Sequence, residues 1–511
     1  MCGILFSLNT DSDFVTRLVT LAPRGPDEQH VAVGPEFSMG HTRNCISHPG
    51  NGKQGGRQPM EAGDWSVVHN GEIYNTDTEH ESDSYCILEL LQTIDPRLVP
   101  SQLDGIFAFV AYNRVTHEFY AARDPVGVIP LYMARSGNRV WVASELKALF
   151  GLDNVEIVPP GHIVSLSGCV RYAAEYPKEA PSDVYVPGTL RKLITTAVTK
   201  RLKVDVPWGV LLSGGVDSSV IAATIAAADR SGMAWSNLHT FSIGIKDSDD
   251  LKWARKMAEH IGSNHHEFVF HPDEGIAILD KVVRAIESYD VTTVRASVPM
   301  YILGREVRKL GIKVLFSGEG SDELFGGYKY NQWCPSRQEM HDECVTKMSR
   351  LHYHDCLRAN KTLAYHGIEC RVPYLDKSLV HFAMHCLDPI HKLSKTHPDG
   401  ERQTKWLLRQ EFLDAMPKQL ALRPKVQFSD GVGDGWIDTL RKHAENYRTP
   451  HRYAYQTPKT KEALLYRRLF DKHFPHGEKT VFYSDETVAC SSARGLTWSD
   501  SFIKDPSARG L

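Results

Sequence analysis

The chain has 511 residues, with 59 Lys and Arg against 62 Asp and Glu, a net charge of -3 and 42% hydrophobic residues. That length exceeds what one hydrophobic core serves and predicts at least two domains. The near-balance of charge excludes the strongly basic surface with which a protein holds nucleic acid or an anionic membrane, and small polar substrates fit better. No run approaches the roughly 18–20 apolar residues of a bilayer span, and no basic stretch with an apolar core opens the chain, so a cytoplasmic protein is expected. The 10 cysteines form no CxxC pair, which reads as reduced thiols and not as a disulfide framework.

Up to about residue 150, short apolar or alternating runs (ILFSL, WSVVHNGEIY, GIFAFVAYN, EFYAARD, PLYMAR, RVWVASE) are separated by Gly, Pro, Asn and Asp, the pattern of a mostly antiparallel β domain. DFVTRLVTL and DSYCILELLQTI carry apolar residues on one helical face, so sheets covered by helices are expected. KEAPSDVYVPG, near residues 178–188, is the candidate linker. After it helices and strands alternate: LRKLITTAVTKRL, VPWGVLL, DSSVIAATIAAAD, LHTFSIG, DLKWARKMAEHIG and HHEFVF. Such alternation requires crossovers and a parallel sheet. ASVPMYILGREVRKLGIKVLFSGEG repeats the unit. From about residue 330 the pattern is mainly helical, and the polar tail after about residue 475 is expected to be loosely held.

Between a strand and a helix lies VLLSGGVDSS, residues 210–219. A Gly pair among serines is a common turn, but here backbone N–H groups and hydroxyls gather at a helix N-terminus, where an anion is favoured. No lysine follows as in the GK[ST] phosphate loop. The carboxylate of Asp217 beside phosphates is therefore read as needing a divalent cation, and Mg²⁺ with pyrophosphate satisfies that. SGGVDSS resembles the signature of the ATP pyrophosphatases, which cleave ATP between the α and β phosphates and activate a carboxylate or carbonyl as an adenylate. FSGEGSDELFGGY, at 316–328, also follows a strand and brings Ser317, Gly318, Glu319 and Asp322 to the same sheet edge.

In the first part, Cys2, RGPD (24–27), HTR (41–43), HNGEIYN (69–75), ESD (81–83) and RDPVGVIPLY (123–132) resemble the class II glutamine amidotransferases, whose mature chain begins with the catalytic cysteine. HNGEIYN alone also reads as a hairpin turn, since Asn-Gly favours one. With ASELKALF, CRVPYLD and PKVQFSDGVG the whole chain resembles the glutamine-hydrolysing asparagine synthetases. The resemblance implies an N-terminal nucleophile-type αββα sandwich over residues 2–183. It implies a doubly wound parallel-sheet ATP pyrophosphatase domain over 184–511, with a mainly helical C-terminal part. It further implies glutamine, aspartate and ATP as substrates, Mg²⁺, and a homodimer.

Removal of Met1 gives Cys2 a free α-amine, whose reference pKa of about 7.7–8.0 suits a general base. By resemblance Asn70 and the Gly71 N–H hold the oxyanion, Arg43 grips the glutamine carboxylate and Asp83 its ammonium, and Glu72 with Asn44, Cys45, Ile46 and Ser47 completes the pocket. In the second site Leu211, Ile243, Ser317 and Gly318 contact the adenylate. Ser213, Gly214, Gly215, Asp217, Ser218, Ser219 and Asp322 hold Mg²⁺-pyrophosphate, with Asp217 and Asp322 on the metal. Lys425 offsets phosphate charge and Glu319 accepts the proton of attacking ammonia. Two segments depart from the family: the Gly-rich loop at 44–57 is longer, and the stretch around 76–81 is shorter, which predicts a weaker or more open glutaminase site. Rival readings are a β-lactam-forming synthetase on the same adenylating fold and a non-catalytic glutamine or nucleotide sensor. His352, His354 and Cys356, and His381 with His385, lack the HExxH spacing and are read as packing or solvated residues.

Overall fold

A computed structural model describes residues 1–9, 11–47, 56–76, 82–230, 238–394, 402–426, 428–447, 453–482 and 492–498. The first half contains β1 (Gly3–Leu8), β2 (Glu28–Val33), β3 (Phe37–Arg43), β4 (Met60–Ala62), β5 (Trp65–Ile73), β6 (Gly105–Asn113) and β7 (Phe119–Arg123). It continues with β8 (Tyr132–Ser136), β9 (Arg139–Ala143), β10 (Glu156–Ile157), β11 (His162–Ser165) and β12 (Gly168–Arg171). They form two 6-stranded antiparallel sheets, β10-β8-β9-β1-β3-β2 and β12-β11-β7-β6-β5-β4.

The inner faces of these sheets interlock: the rings of Phe6 on β1 and Phe119 on β7 lie 5.4 Å apart. Helix Phe14–Val19 covers the outside of the first sheet, where Gly40 admits Leu18 to a distance that a Cβ would close to 2.6 Å. Helix Tyr85–Thr93 covers the second, burying Ile87, Leu88 and Leu91 against Val67, Phe107 and Phe109. The result is the expected αββα sandwich. The hairpin expected at Asn70-Gly71 is corrected, because both residues lie inside β5, opposite Ala108 and Phe107 of β6. Gly71 has φ +140, and a Cβ on it would fall 2.0 Å from the Ile106 carbonyl oxygen. The glycine serves close strand approach, not a turn.

The second half is built on β13 (Trp208–Leu211), β14 (His239–Gly244), β15 (Asn264–Val269), β16 (Val314–Phe316) and β17 (Glu369–Arg371). All pair in parallel, in the order β15-β14-β13-β16-β17. Helices Val216–Arg230 and Asp249–Ile261 pack together, as do Val291–Lys309 and Asp355–Ala364, so the sheet is doubly wound. The strand order reverses between β13 and β16, and the crevice that opens there at the carboxyl ends is where such sheets bind ligands. β17 was not expected in a region read as helical: three residues carry no period, and only pairing with β16 makes them a strand.

The halves share an interior. Arg24 donates to Asn360 Oδ1 at 2.9 Å, Asn360 to the Val128 carbonyl at 3.2 Å, and Lys361 to the Tyr132 hydroxyl at 2.7 Å. Lys361 also pairs with Glu287, and both are fully buried. The tail is held more firmly than expected where it is described: Thr480 donates to the Val155 carbonyl, and Ser492, 4% exposed, to Glu343. Among the described residues no helix is long and apolar enough to cross a membrane.

Candidate active site

The first site lies at the start of β1. The Cys2 backbone N–H donates to Asn70 Oδ1 at 2.8 Å, and Arg24 Nε donates to the Cys2 carbonyl at 2.8 Å. Asn70 is fully buried, and its Nδ2 has no hydrogen-bond partner in the structure. A buried amide that spends its oxygen on the Cys2 backbone and leaves its N–H₂ unspent is free to donate to a negative charge placed beside it. Burial pushes the Cys2 thiol above its ordinary range, and the positive charge of the chain's N-terminus opposes that rise. The thiol therefore needs a base beside it.

A cavity next to Cys2 is lined by Arg43, Asn44, Ile46, Ser47, Gly71, Glu72 and Asp83. The structure thus brings together all but two of the residues expected there. Asn70 and Cys45 do not line it: Asn70 accepts from the Cys2 N–H, and the Cys45 N–H donates to Asp27 Oδ2 at 2.7 Å. Asp83 is fixed by the Ile73 N–H at 2.8 Å, and Arg43 reaches Glu28 at 3.1 Å. His41 and His69 line the cavity too. Burial, then Arg43, holds His41 down to about 3, so it is neutral.

Sequence reading missed the second half's share in this cavity. Glu369 of β17 lines it, binding the Met1 ammonium at 3.1 Å and Arg371 at 2.9 Å, and Arg371 in turn pairs with Glu72 at 3.1 Å. Nothing in the motif CRVPYLD says that the residue before it, Glu369 at the start of β17, lines the Cys2 cavity. Of the two segments that depart from the family pattern, 44–57 and 76–81, residues 48–55 and 77–81 lie outside the described residues.

The second site fills the crevice between β13 and β16, a cavity of about 990 Å³ counting its open mouth. Leu211, Ser213, Asp217, Ser218, Ile243, Ser317, Gly318, Glu319, Asp322 and Lys425 all line it. Gly215 lines an adjoining hollow with Lys405, Arg409 and Arg423. Gly214 (φ +70) lies so close to the next helix that a Cβ would fall 2.5 Å from the Ala254 nitrogen, and Ser219 is buried with an unpartnered hydroxyl. Ser218 Oγ accepts from the Ser213 N–H at 3.2 Å, which folds the loop over the N-terminus of helix Val216–Arg230.

Burial raises the Glu319 carboxyl, with Arg358 at 2.7 Å pulling the other way. Arg358 and Lys405 were missed by sequence reading; each is an ordinary basic residue on a helical pattern until folding sets it on a carboxylate. Asp217 and Asp322 converge on Lys405, 2.6 Å from each, and Lys425 lies 2.7 Å from Asp322. Burial would raise the Asp322 carboxyl, but the two lysines outweigh it and hold it well below the usual range. Two convergent carboxylates beside a phosphate-type loop fit Mg²⁺, whose remaining ligands are ordinarily phosphate oxygens and water. No set of three or more metal-ligating side chains occurs among the described residues.

The sequence signature described as Asparagine synthase matches residues 189–338 and 331–494, and that of a Glutamine amidotransferase domain matches residues 1–162. An asparagine synthetase [glutamine-hydrolyzing] of Triphysaria versicolor is 41% identical over 552 residues, covering 100% of this chain and 93% of the relative. The chain belongs to the glutamine-hydrolysing asparagine synthetase family. Two similarly named relatives, of Asparagus officinalis and Oryza sativa subsp. japonica, are each 40% identical, and each alignment covers 100% of the chain and 92% of the relative. As a member of that family the chain is an enzyme, a ligase joining a glutamine amidotransferase half to a synthase half.

Proposed function

We propose that this enzyme makes L-asparagine from L-aspartate, ATP and L-glutamine through a β-aspartyl adenylate, releasing AMP, pyrophosphate and L-glutamate. The observation that carries this reading is the unspent Nδ2 of Asn70 beside Cys2, in a chain whose other half opens a phosphate-type crevice. A β-lactam-forming enzyme or a sensor has no use for that oxyanion donor.

Once Met1 is excised, the α-amine of Cys2 takes the thiol proton and the thiolate attacks the glutamine amide carbon. Asn70 Nδ2 and the Gly71 N–H receive the oxyanion, the α-ammonium returns its proton to the amide nitrogen as the C–N bond breaks, ammonia leaves, and water hydrolyses the thioester to glutamate. Arg43 and Asp83 hold the two charged ends of glutamine. In the crevice Leu211, Ile243, Ser317 and Gly318 seat the adenylate, and the loop from Ser213 to Ser219 cradles the phosphates. Mg²⁺ held by Asp217 and Asp322 would neutralise phosphate charge. Lys425 offsets the charge that develops as the aspartate carboxylate attacks. Glu319, with its raised carboxyl, takes the proton from ammonia as the amide bond forms and AMP departs. Ammonia passes inside the protein, because in water near neutrality it would mostly be protonated. We place the domain boundary at 183/184 and the enzyme in the cytoplasm as a homodimer.

The test is Cys2→Ala assayed with aspartate, ATP, Mg²⁺ and ¹⁵N-amide glutamine, products read by mass spectrometry. Labelled asparagine should vanish while added ammonia still yields asparagine. If glutamine still supplies the label, the nucleophile is wrongly assigned; if wild type makes no asparagine from either source, the whole reading falls.

A further inference from the structure

We infer that Lys405 is a resident counter-ion of the pyrophosphate site. Its ammonium bridges Asp217 and Asp322, and arrival of a divalent metal with the phosphates moves it off those carboxylates onto phosphate oxygens. This rests on the reading of Asp217 and Asp322 as the metal carboxylates.

Lys405 is 2% exposed, and its Nζ lies 2.6 Å from both oxygens of Asp217 and 2.6 Å from Asp322 Oδ1. Its ammonium thus donates to both Asp217 oxygens and stands in charge contact with Asp322, at the first turns of the two helices that open at the switch point. Lys425 is no equivalent bridge: it lies 2.7 Å from Asp322 but 3.6 Å from Asp217.

The backbone is shaped for this placement. Lys405 has φ 55, the left-handed region that a residue with a Cβ avoids, directly before helix Trp406–Glu411. Arg409, one turn on, donates to the carbonyls of Thr404, Ala421 and Arg423, which pins that turn to the irregular segment that leads into Lys425. Gly327 supplies the room: a Cβ there would fall 1.9 Å from Lys405 Cε and 2.1 Å from Asp322 Oδ1. Strain and a required glycine at one ion pair mark a position selected for function.

Two carboxylates and two ammoniums make this cluster neutral. A divalent cation entering the same carboxylates would carry it to +2 and repel the Lys405 ammonium at close range. The ammonium has somewhere to go, because Lys405 lines the hollow shared with Ser213, Gly215 and Arg409. Phosphates seated there receive the lysine and restore the charge. The free enzyme is therefore closed to metal, and metal enters together with the phosphates.

The experiment uses Mn²⁺ as the probe, with free Mn²⁺ read by electron paramagnetic resonance on full-length wild type, K405M and K405R, with and without pyrophosphate. Circular dichroism confirms folding. Wild type is expected to bind Mn²⁺ weakly alone and tightly with pyrophosphate. K405M should bind Mn²⁺ alone at least tenfold tighter than wild type, lose that site on adding D217N, and show tenfold weaker binding with pyrophosphate. K405R, keeping the charge, should resemble wild type without pyrophosphate. The inference is overturned if K405M gains no affinity for Mn²⁺ alone, if K405R gains as much as K405M, or if K405M fails to fold while K405R with its intact charge also binds Mn²⁺ tightly alone. If wild type binds no Mn²⁺ even with pyrophosphate, the metal reading itself fails, and this inference with it.

Discussion

Asn70→Ala tests the proposed glutaminase geometry at a single residue. In the proposed mechanism the side chain has two separate duties: Oδ1 holds the Cys2 nitrogen at 2.8 Å, and Nδ2, buried and unpartnered, is the oxyanion donor. Removing one oxyanion donor costs about 2.7–4 kcal/mol, or ~10²–10³ in rate. Because Nδ2 has no ground-state partner to lose, the deficit should fall on kcat for glutamine hydrolysis and leave KM nearly unchanged. Asn70→Asp sharpens the argument. It keeps the acceptor for Cys2 but sets a negative charge against the oxyanion, worth about 4 kcal/mol of repulsion at 4 Å and an effective dielectric of 20. The expected order is wild type, then Ala, then Asp, each step ~10²–10³. The assay is steady-state glutaminase turnover beside ammonia-dependent asparagine formation, which should be unaffected because Asn70 does not line the crevice of the second half. Equal losses with both nitrogen sources, or an Asp variant faster than the Ala variant, would refute the oxyanion role.

Glu287→Ala should lower the melting transition with a stability loss of about 3–5 kcal/mol, since it strands the fully buried Lys361 ammonium and frees the N–H groups of Leu146 and Lys147 that Glu287 caps. Adding Lys361→Met should recover part of that loss in calorimetry; no recovery would mean that the ion pair is not the cause. Glu323 is pushed up to about 8 by burial, then by Asp355 and Asp322. The folded state therefore holds a proton that the unfolded chain releases near its ordinary value of about 4.3, so this group's stabilisation is fully present at pH 4 and declines as pH rises to about 8. Glu323→Gln should flatten the decline in thermal melts between pH 5 and pH 8, and an unchanged slope would assign it elsewhere.

Much of this architecture is legible before folding. The alternating runs around ILFSL and GIFAFVAYN, the helix–strand alternation after residue 188, and the loops following VPWGVLL and IKVLF locate two domains and the crevice, because side-chain period and turn chemistry are local properties. The glycine in HNGEIYN misleads for a physical reason: the same lack of a Cβ that suits a turn also suits strand approach, and only the Ile106 carbonyl 2.0 Å from the missing Cβ tells them apart. β17 escapes notice because three residues have no period of their own.

The sequence by itself determined the chemical inventory: a cysteine in second place, a phosphate-type loop without a lysine, and carboxylates at 217, 319 and 322. Tertiary structure decided which charges face one another. Glu369 reaches the Cys2 cavity from the other half, Arg358 sits on Glu319, and Lys405 comes 188 residues along the chain to bridge Asp217 and Asp322. Electrostatic partnership depends on distance in space and on the exclusion of water, and neither is encoded at the spacing of neighbouring residues.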